Sequence, residues 1–490
     1  MTSAPQPQAP LFNLRGLMIS ALVALVLCWP IVVTNADYVF VDSQSYLRAG
    51  AEIWDLALGM MQTGLPTPDT AIEAAPGAAS DTTASGEKLQ FDGEPRFGRS
   101  IAYSAFAYAL LSALGPFGLA WAQGTLTLFA LLVLVTPQML QARVILIGGL
   151  LLVIAVTQLP WRVVYLMPDI FAATIVIFGA CLIGPFDRLT RVQQAVLTGL
   201  ACFAVATHYG NIPLAAGFLG LVLFWRLVTA RLAVAPLVAA AITVAASPLA
   251  NLGASVVVLD EPSTVPLRLP IVLARSIQDG PGAAYLRENC GQEDWAICDA
   301  FGDRLPESIR EFLWSKDGIR AQSAEMVQRI RDEEIPLLAN IFLAHPAAQT
   351  WSFVGNAVKQ FLRVGQGQIA AVAGFDQTYR SGDHATQAQG GALRDAFEPV
   401  VIAATIISAL ALAALTLSKR CTVAERRVIL AMVLGLICNA IVFGGLSAPV
   451  DRYQARVVWL VPACLVLLWA AITARQTRTT RAAGKVPDVL

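Results

Sequence analysis

Apolar residues in this chain gather into long unbroken runs separated by short polar loops. Crossing the hydrocarbon core takes a helix of about 20 apolar residues, range roughly 17–25. Such runs lie near Leu17–Asn35, Gly118–Val135, Val144–Leu159, Val164–Ile183, Val192–Thr207, Ile212–Val228, Leu232–Leu259, Val400–Leu417, Val428–Leu446 and Val457–Ala474, about ten in all. Arg15 precedes the first, and no small-residue cleavage site follows before Asp37, so it reads as a retained anchor. A further run, Ile101–Leu114, is about 14 residues long and ends at Gly-Pro. It is short for a span and reads as a helix lying in or dipping into the membrane interface. The pattern predicts an all-α polytopic transmembrane bundle of about ten spans with interfacial helices.

Charge gives the bundle its sides. Charged residues make up 14% of the chain, against roughly 25% in a soluble domain, which argues against an ordinary soluble enzyme. The high apolar content excludes a disordered chain. The 34 basic and 34 acidic residues leave no basic excess, so no nucleic-acid partner is expected. Arg15, Arg143, Arg188, Arg191, Arg226, Arg231, Lys419, Arg420, Arg426, Arg427, Arg475, Arg478, Arg481 and Lys485 fall in one set of short loops with few acids. By the positive-inside rule those loops are cytoplasmic. Ten spans then put both termini inside, and counting Ile101–Leu114 as a span would invert every later loop. The expected location is the plasma (inner) membrane, with the lipid bilayer as first partner.

Three regions follow. Residues 1–259 form a transmembrane region with a first outer loop, 36–100, and the interfacial helix 101–114. Residues 260–399 form an extracytoplasmic, mostly helical loop domain, and 400–490 a C-terminal transmembrane region with a short cytoplasmic tail. The stretch Thr63–Lys88 is rich in Pro, Ala, Ser and Thr and reads as irregular. In the loop domain, Pro306–Arg331 reads as polar helices, and Ile335–Ala344 and Thr350–Leu362 as amphipathic helices on the membrane surface. Six cysteines read as small packed residues. Cys290 and Cys298 flank the polar stretch NCGQEDWAIC, and outside the cell a disulfide between them is plausible.

Ionisable residues at membrane depth are costly and suggest function. With this topology they collect on the outer side: Asp37, Asp42 and Tyr46 after the first span, Arg162 and Asp169 in PWRVVYLMPD, His208, Tyr209 and Asn211 in THYGN, and Asp451, Arg452, Tyr453 and Arg456 in APVDRYQARVVWLVP. A carboxylate can accept an acceptor hydroxyl's proton. Arginine offers a planar donor set to a leaving phosphate. The spans offer a greasy flank to a lipid tail. No nucleotide-binding motif and no zinc spacing is present.

These residues resemble the GT-C class of polytopic glycosyltransferases, which use polyprenyl-phosphate-linked sugars. The likeness rests on Asp42 and Tyr46 in VDSQSYLRAG, on a short helix before the second span in GRSIAYSAFAYALLSALGPFG, on Asp169 in MPDIF, and on Arg452 and Tyr453 in DRYQARVVWLVP. It covers the first four spans and the last one, and not the loop domain. It implies transfer of a sugar to an extracytoplasmic glycan or lipid acceptor. In that scheme Asp42 serves at the acceptor hydroxyl, Asp169 positions substrate or an optional divalent cation, and Arg452 faces the donor phosphate. Tyr46, Arg162, His208, Tyr209, Asn211 and Tyr453 fall to substrate binding. The sequence departs from many relatives in having Ser43, not a second acid, after Asp42, and Ser100–Tyr103 where a Pro-Pro-Leu-Tyr-like start is common.

Plainer readings stand beside these. Asp42 suits an N-cap, and Asp169 suits the N-terminal end of a helix dipole. His208 suits loop packing, and Arg456 reads as an anchor that snorkels to headgroups. A transporter or flippase of lipid-linked glycan would want ionisable groups near mid-membrane. A polymerase- or ligase-like assembly factor would place its essential residues in 260–399.

Overall fold

The structure is a computed structural model, and it describes residues 11–63, 99–229, 233–259, 262–265, 268–302, 304–367, 369–372 and 390–482. The Pro-rich stretch, apart from its first residue, and the end of the C-terminal tail lie outside the described residues. The chain is an all-α bundle. In order it comprises α1 (Leu14–Leu27), α2 (Trp29–Thr34), β1 (Asp37–Val39), α3 (Val41–Thr63), α4 (Ile101–Leu131), α5 (Arg143–Val156), α6 (Leu159–Val163), α7 (Ala172–Ile183), α8 (Arg191–Ala206), α9 (Asn211–Val228) and α10 (Val234–Leu259). The loop domain adds α11 (Ile271–Asp279), α12 (Pro281–Asn289), α13 (Ala296–Phe301), α14 (Ile309–Trp314), α15 (Ala324–Ala344), α16 (Pro346–Leu362) and β2 (Ala370–Val372). The chain closes with α17 (Gly390–Leu417), α18 (Val423–Ala440), α19 (Asp451–Val458) and α20 (Leu460–Ala482).

Among the described residues eight helical segments are long and apolar enough to cross a membrane. The remaining two of the ten expected spans are shorter apolar helices, Pro168–Ile183 and Arg191–Ala206. At 1.5 Å per residue, the 16 residues of Pro168–Ile183 reach about 24 Å, short of the roughly 30 Å core. Every residue of α7 is buried, so its ends meet neighbouring helices and it need not match the lipid.

α4 holds both the expected interfacial helix and the second span, and Gly115 divides them. Gly115 has φ 70° and ψ −175°, a left-handed φ that glycine alone tolerates freely, and Pro116 follows it. The Tyr103 hydroxyl donates to Gln123 Oε1 at 3.0 Å. In a straight helix those residues would sit about 30 Å apart. The 101–114 arm is therefore folded back against the 116–131 arm, and α4 is not one long span.

The loop domain has a core of its own, built from residues such as Leu273, Ile277, Leu286, Ile297, Phe312, Ile330 and Leu337. The Cys290–Cys298 disulfide is formed, with a Cα–Cα distance of 5.3 Å. Glu334, fully buried on α15, accepts from the amides of Val272 and Leu273 at 3.1 Å each and pairs with Arg268. It thereby satisfies the orphan donors at the start of α11. Burial pushes its carboxyl up from the ordinary range. Trp351, Val358 and Leu362 of α16 and Phe342 and Leu343 of α15 are exposed apolar residues.

Several contacts tie the loop domain to the bundle. The Gln360 side-chain amide donates to Val450 O and accepts from Val450 N, both at 2.9 Å, fixing the backbone ahead of Asp451 and Arg452. After α16 the chain returns as β2, which pairs antiparallel with β1, Tyr38 opposite Ala371. This three-residue ribbon is an addition to the all-α expectation, too short to leave a period-2 pattern.

Candidate functional site

Helix ends build the site. Asp169 opens the turn into α7, His208–Gly210 link α8 to α9, and Arg452 and Arg456 lie one turn apart on α19. Four-residue spacing puts the two arginines on one helix face. Asp169 is buried, and its Oδ1 lies 3.5 Å from Arg452 Nε. The charges of Arg456, His208 and Arg162 also act on Asp169. The structure thus brings together Asp169, Arg162, His208 and Arg452 from sequence-distant segments.

Each guanidinium is seated on aromatic rings and leaves some of its donors unmet. Arg452 lies over Phe40 at 4.2 Å and Tyr453 at 5.0 Å, measured to the ring centroids. Arg162 donates through Nη2 to Gln366 O and rests 4.9 Å from the Tyr165 ring centroid. Arg456 donates through Nε and Nη2 to Asn439 Oδ1 at 3.0 and 2.7 Å, and lies 3.6 Å from the Phe443 centroid. Asn439 in turn donates to Tyr453 O and Gln454 Oε1. Nε and Nη1 of Arg162, Nε and Nη1 of Arg452, Nη1 of Arg456 and both oxygens of Asp169 are buried without a hydrogen-bond partner.

Arg456 is a correction. Its place after the outer loop suggested a snorkelling anchor, yet it is fully buried. The Asn439 carbonyl and the Phe443 ring give its head an internal seat, which removes the reason to reach for headgroups.

No family model matches this chain, and no curated protein or solved structure matches it.

Asp42 stands at the rim, in the first turn of α3. Its Oδ1 takes a 2.6 Å ion pair from Arg99, and both side chains are partly exposed. Asp42 and Asp169 both act on Tyr46, as do Arg99 and Arg452. Tyr46 is buried edge-on against Tyr103, with centroids 5.1 Å apart. Tyr453 packs on Phe443 at 4.8 Å. Tyr209 and Asn211 make bonds that shape the turn: the Tyr209 hydroxyl donates to Arg99 O at 3.0 Å, and Asn211 Nδ2 to Ala204 O at 2.9 Å. Cys290 and Cys298 form their staple in the loop domain, outside this cluster.

The optional cation at Asp169 does not fit. The Arg452 guanidinium lies 3.5 Å from this buried carboxylate, and the charges of Arg456 and Arg162 also act on it, a positive field that would repel a cation. Among the described residues no group of three or more His, Cys, Asp or Glu could hold a metal.

His208 accepts the Gly210 amide at Nδ1, 3.0 Å away. Burial, then Arg456 beside it, pushes its pKa down to about 3 from 6.5. The ring is therefore neutral at physiological pH. An unfolded chain takes up a proton near 6.5 that the folded ring refuses, so this contribution to stability is full above 6.5. It is lost as pH falls through that value towards about 3. Thermal unfolding against pH should show wild type losing more than His208→Gln over this window. Parallel curves would remove His208 from the linkage.

Sequence reasoning missed Arg99, Asn439, Gln454, Gln123 and Gln366. Asn439 and Gln123 were findable as lone amides inside apolar runs.

Proposed function

We propose that this protein is an integral membrane glycosyltransferase of the GT-C type. It moves a sugar from a polyprenyl-phosphate donor to a glycan or lipid acceptor at the extracytoplasmic face of the plasma membrane. One observation carries the reading: Arg162, Arg452 and Arg456 are buried around a single buried carboxylate, Asp169. Buried charge is costly unless paired. The unpartnered guanidinium nitrogens want an anion with several acceptor oxygens, which a phosphate supplies. The apolar helices around the site suit the polyprenyl tail.

In this reading the acceptor oxygen attacks the anomeric carbon. The bond from that carbon to the phosphate oxygen breaks, and the polyprenyl phosphate departs with the bonding electrons. The acceptor proton passes to the Asp42 carboxylate. Arg452, with Arg162 and Arg456, meets the charge that grows on the leaving phosphate. Arg99 holds Asp42 at the rim, where an acceptor from the aqueous side would arrive. Asp169 keeps the arginines together. The arginine pairs with Asp187 and Glu425 sit at the other ends of their helices, which supports a cytoplasmic assignment for that side.

The test is mass spectrometry of lipid-linked sugars and envelope glycans in cells with and without the gene. One lipid-linked sugar should accumulate and its glycan product disappear. Unchanged glycans would reject the proposal. Asp42→Asn should fold as wild type, since only a partly exposed pair is lost. It should slow transfer about 10²–10⁴-fold, the range for a general base. Full activity in a membrane assay would remove Asp42 from the mechanism.

A further inference from the structure

Between α16 and β2 the chain forms a strap, Arg363–Gly367, that crosses the buried arginines. Its main chain is pinned at nearly every residue. Val364 O accepts from Gln158 Nε2 at 2.7 Å, Gln366 N donates to Glu398 Oε1 at 3.1 Å, and Gln366 O accepts from Arg162. Arg363 pairs with Asp451 at 3.3 Å. Gly367, at φ 73°, lies so close that a Cβ there would sit 2.5 Å from the Arg452 amide nitrogen. The strap is therefore seated directly against both Arg162 and Arg452.

Within this pinned segment the side chain of Gln366 is free of any task. It is fully buried, and both Oε1 and Nε2 lack a hydrogen-bond partner. Neighbouring buried amides are employed: Gln360, Gln158 and Gln123 each bridge two groups. A buried amide with neither donor nor acceptor met is costly and calls for an explanation. Its chemistry says what would satisfy it. An ionised phosphate oxygen only accepts, so it answers half of an amide. A hydroxyl donates and accepts, so it answers both halves.

We infer that Gln366 is a sugar-binding residue of the candidate site, its amide hydrogen-bonding hydroxyls of the donor's glycosyl unit while the arginines take the phosphate. This rests on the glycosyl-transfer reading and adds to it the residue that tells a glycosylated lipid from a bare one.

The experiment compares full-length wild type and Gln366→Met in lipid nanodiscs. The probes are bare polyprenyl phosphate and polyprenyl phosphate carrying glucose, mannose, galactose or arabinose. Wild type should bind at least one glycosylated lipid more tightly than the bare one. Gln366→Met should lose about tenfold or more on that lipid and stay within about twofold on the bare lipid, as expected when a neutral hydrogen-bonding partner is removed. Without lipid its Tm should equal or exceed that of wild type, because methionine relieves an unmet amide of similar size. Equal binding of the glycosylated lipid, an equal loss on both lipids, or a lowered Tm would each overturn the assignment. So would a wild type that binds bare polyprenyl phosphate and prefers no sugar, although the glycosyl-transfer reading would survive those results. A wild type that binds none of the probes would defeat both.

Discussion

Arg452→Ala is expected to cut transfer by about 10³-fold or more, the scale seen when an arginine that stabilises a departing phosphoryl group is removed. The reason is placement. Arg452 is the guanidinium nearest Asp169, at 3.5 Å. It is held over the Phe40 and Tyr453 rings, and its Nε and Nη1 carry no hydrogen bond. Such a preorganised donor set needs no rearrangement as charge develops. The variant should still fold, because the charges of Arg162 and Arg456 still act on Asp169. Arg452→Lys should recover little, since an ammonium lacks the planar fork that meets two phosphate oxygens. The measurement is single-turnover transfer in nanodiscs alongside thermal unfolding. An Arg452→Ala protein within about tenfold of wild type would show that the phosphate is bound elsewhere.

Asp169→Asn should act chiefly on stability. The substitution keeps shape and removes the one fully buried acid among Arg162, Arg452 and Arg456. Breaking a buried ion pair by neutralising one partner typically costs about 3–5 kcal/mol, because the other charge is left uncompensated. Here several positive charges share the loss, so the upper part of that range is expected. Denaturant unfolding in detergent checks it, and a cost below about 1 kcal/mol, the level of a surface pair, would contradict the account. Saturating polyprenyl phosphate should restore part of the loss, since an anion that binds only the folded state stabilises by mass action. The contrast with Asp42, partly exposed and paired with Arg99, separates the two acids that looked alike in the sequence.

The spans were legible because lipid allows few solutions: apolar runs must be long and their backbone bonds internal. The break at Gly115 was legible for the same kind of reason, since Gly-Pro punctuates a helix. The site was legible only in part. Asp42, Asp169 and Arg452 drew notice as charges at span ends. Arg456 was read as an anchor, because burial and snorkelling leave the same trace in a sequence; its four-residue spacing from Arg452 was the signal. The Asp42–Arg99 pair joins residues 57 apart, and Gln366 lies in a non-periodic strap held by tertiary contacts. Neither carries a local pattern.

The buried arginine cluster is proposed to hold the phosphate of a polyprenyl-phosphate lipid. Native mass spectrometry of the full-length protein released from nanodiscs containing bare polyprenyl phosphate tests it most directly. One retained lipid per wild-type chain and none on Arg452→Ala is the expected result. Equal retention by the two proteins, or none by wild type, would contradict it.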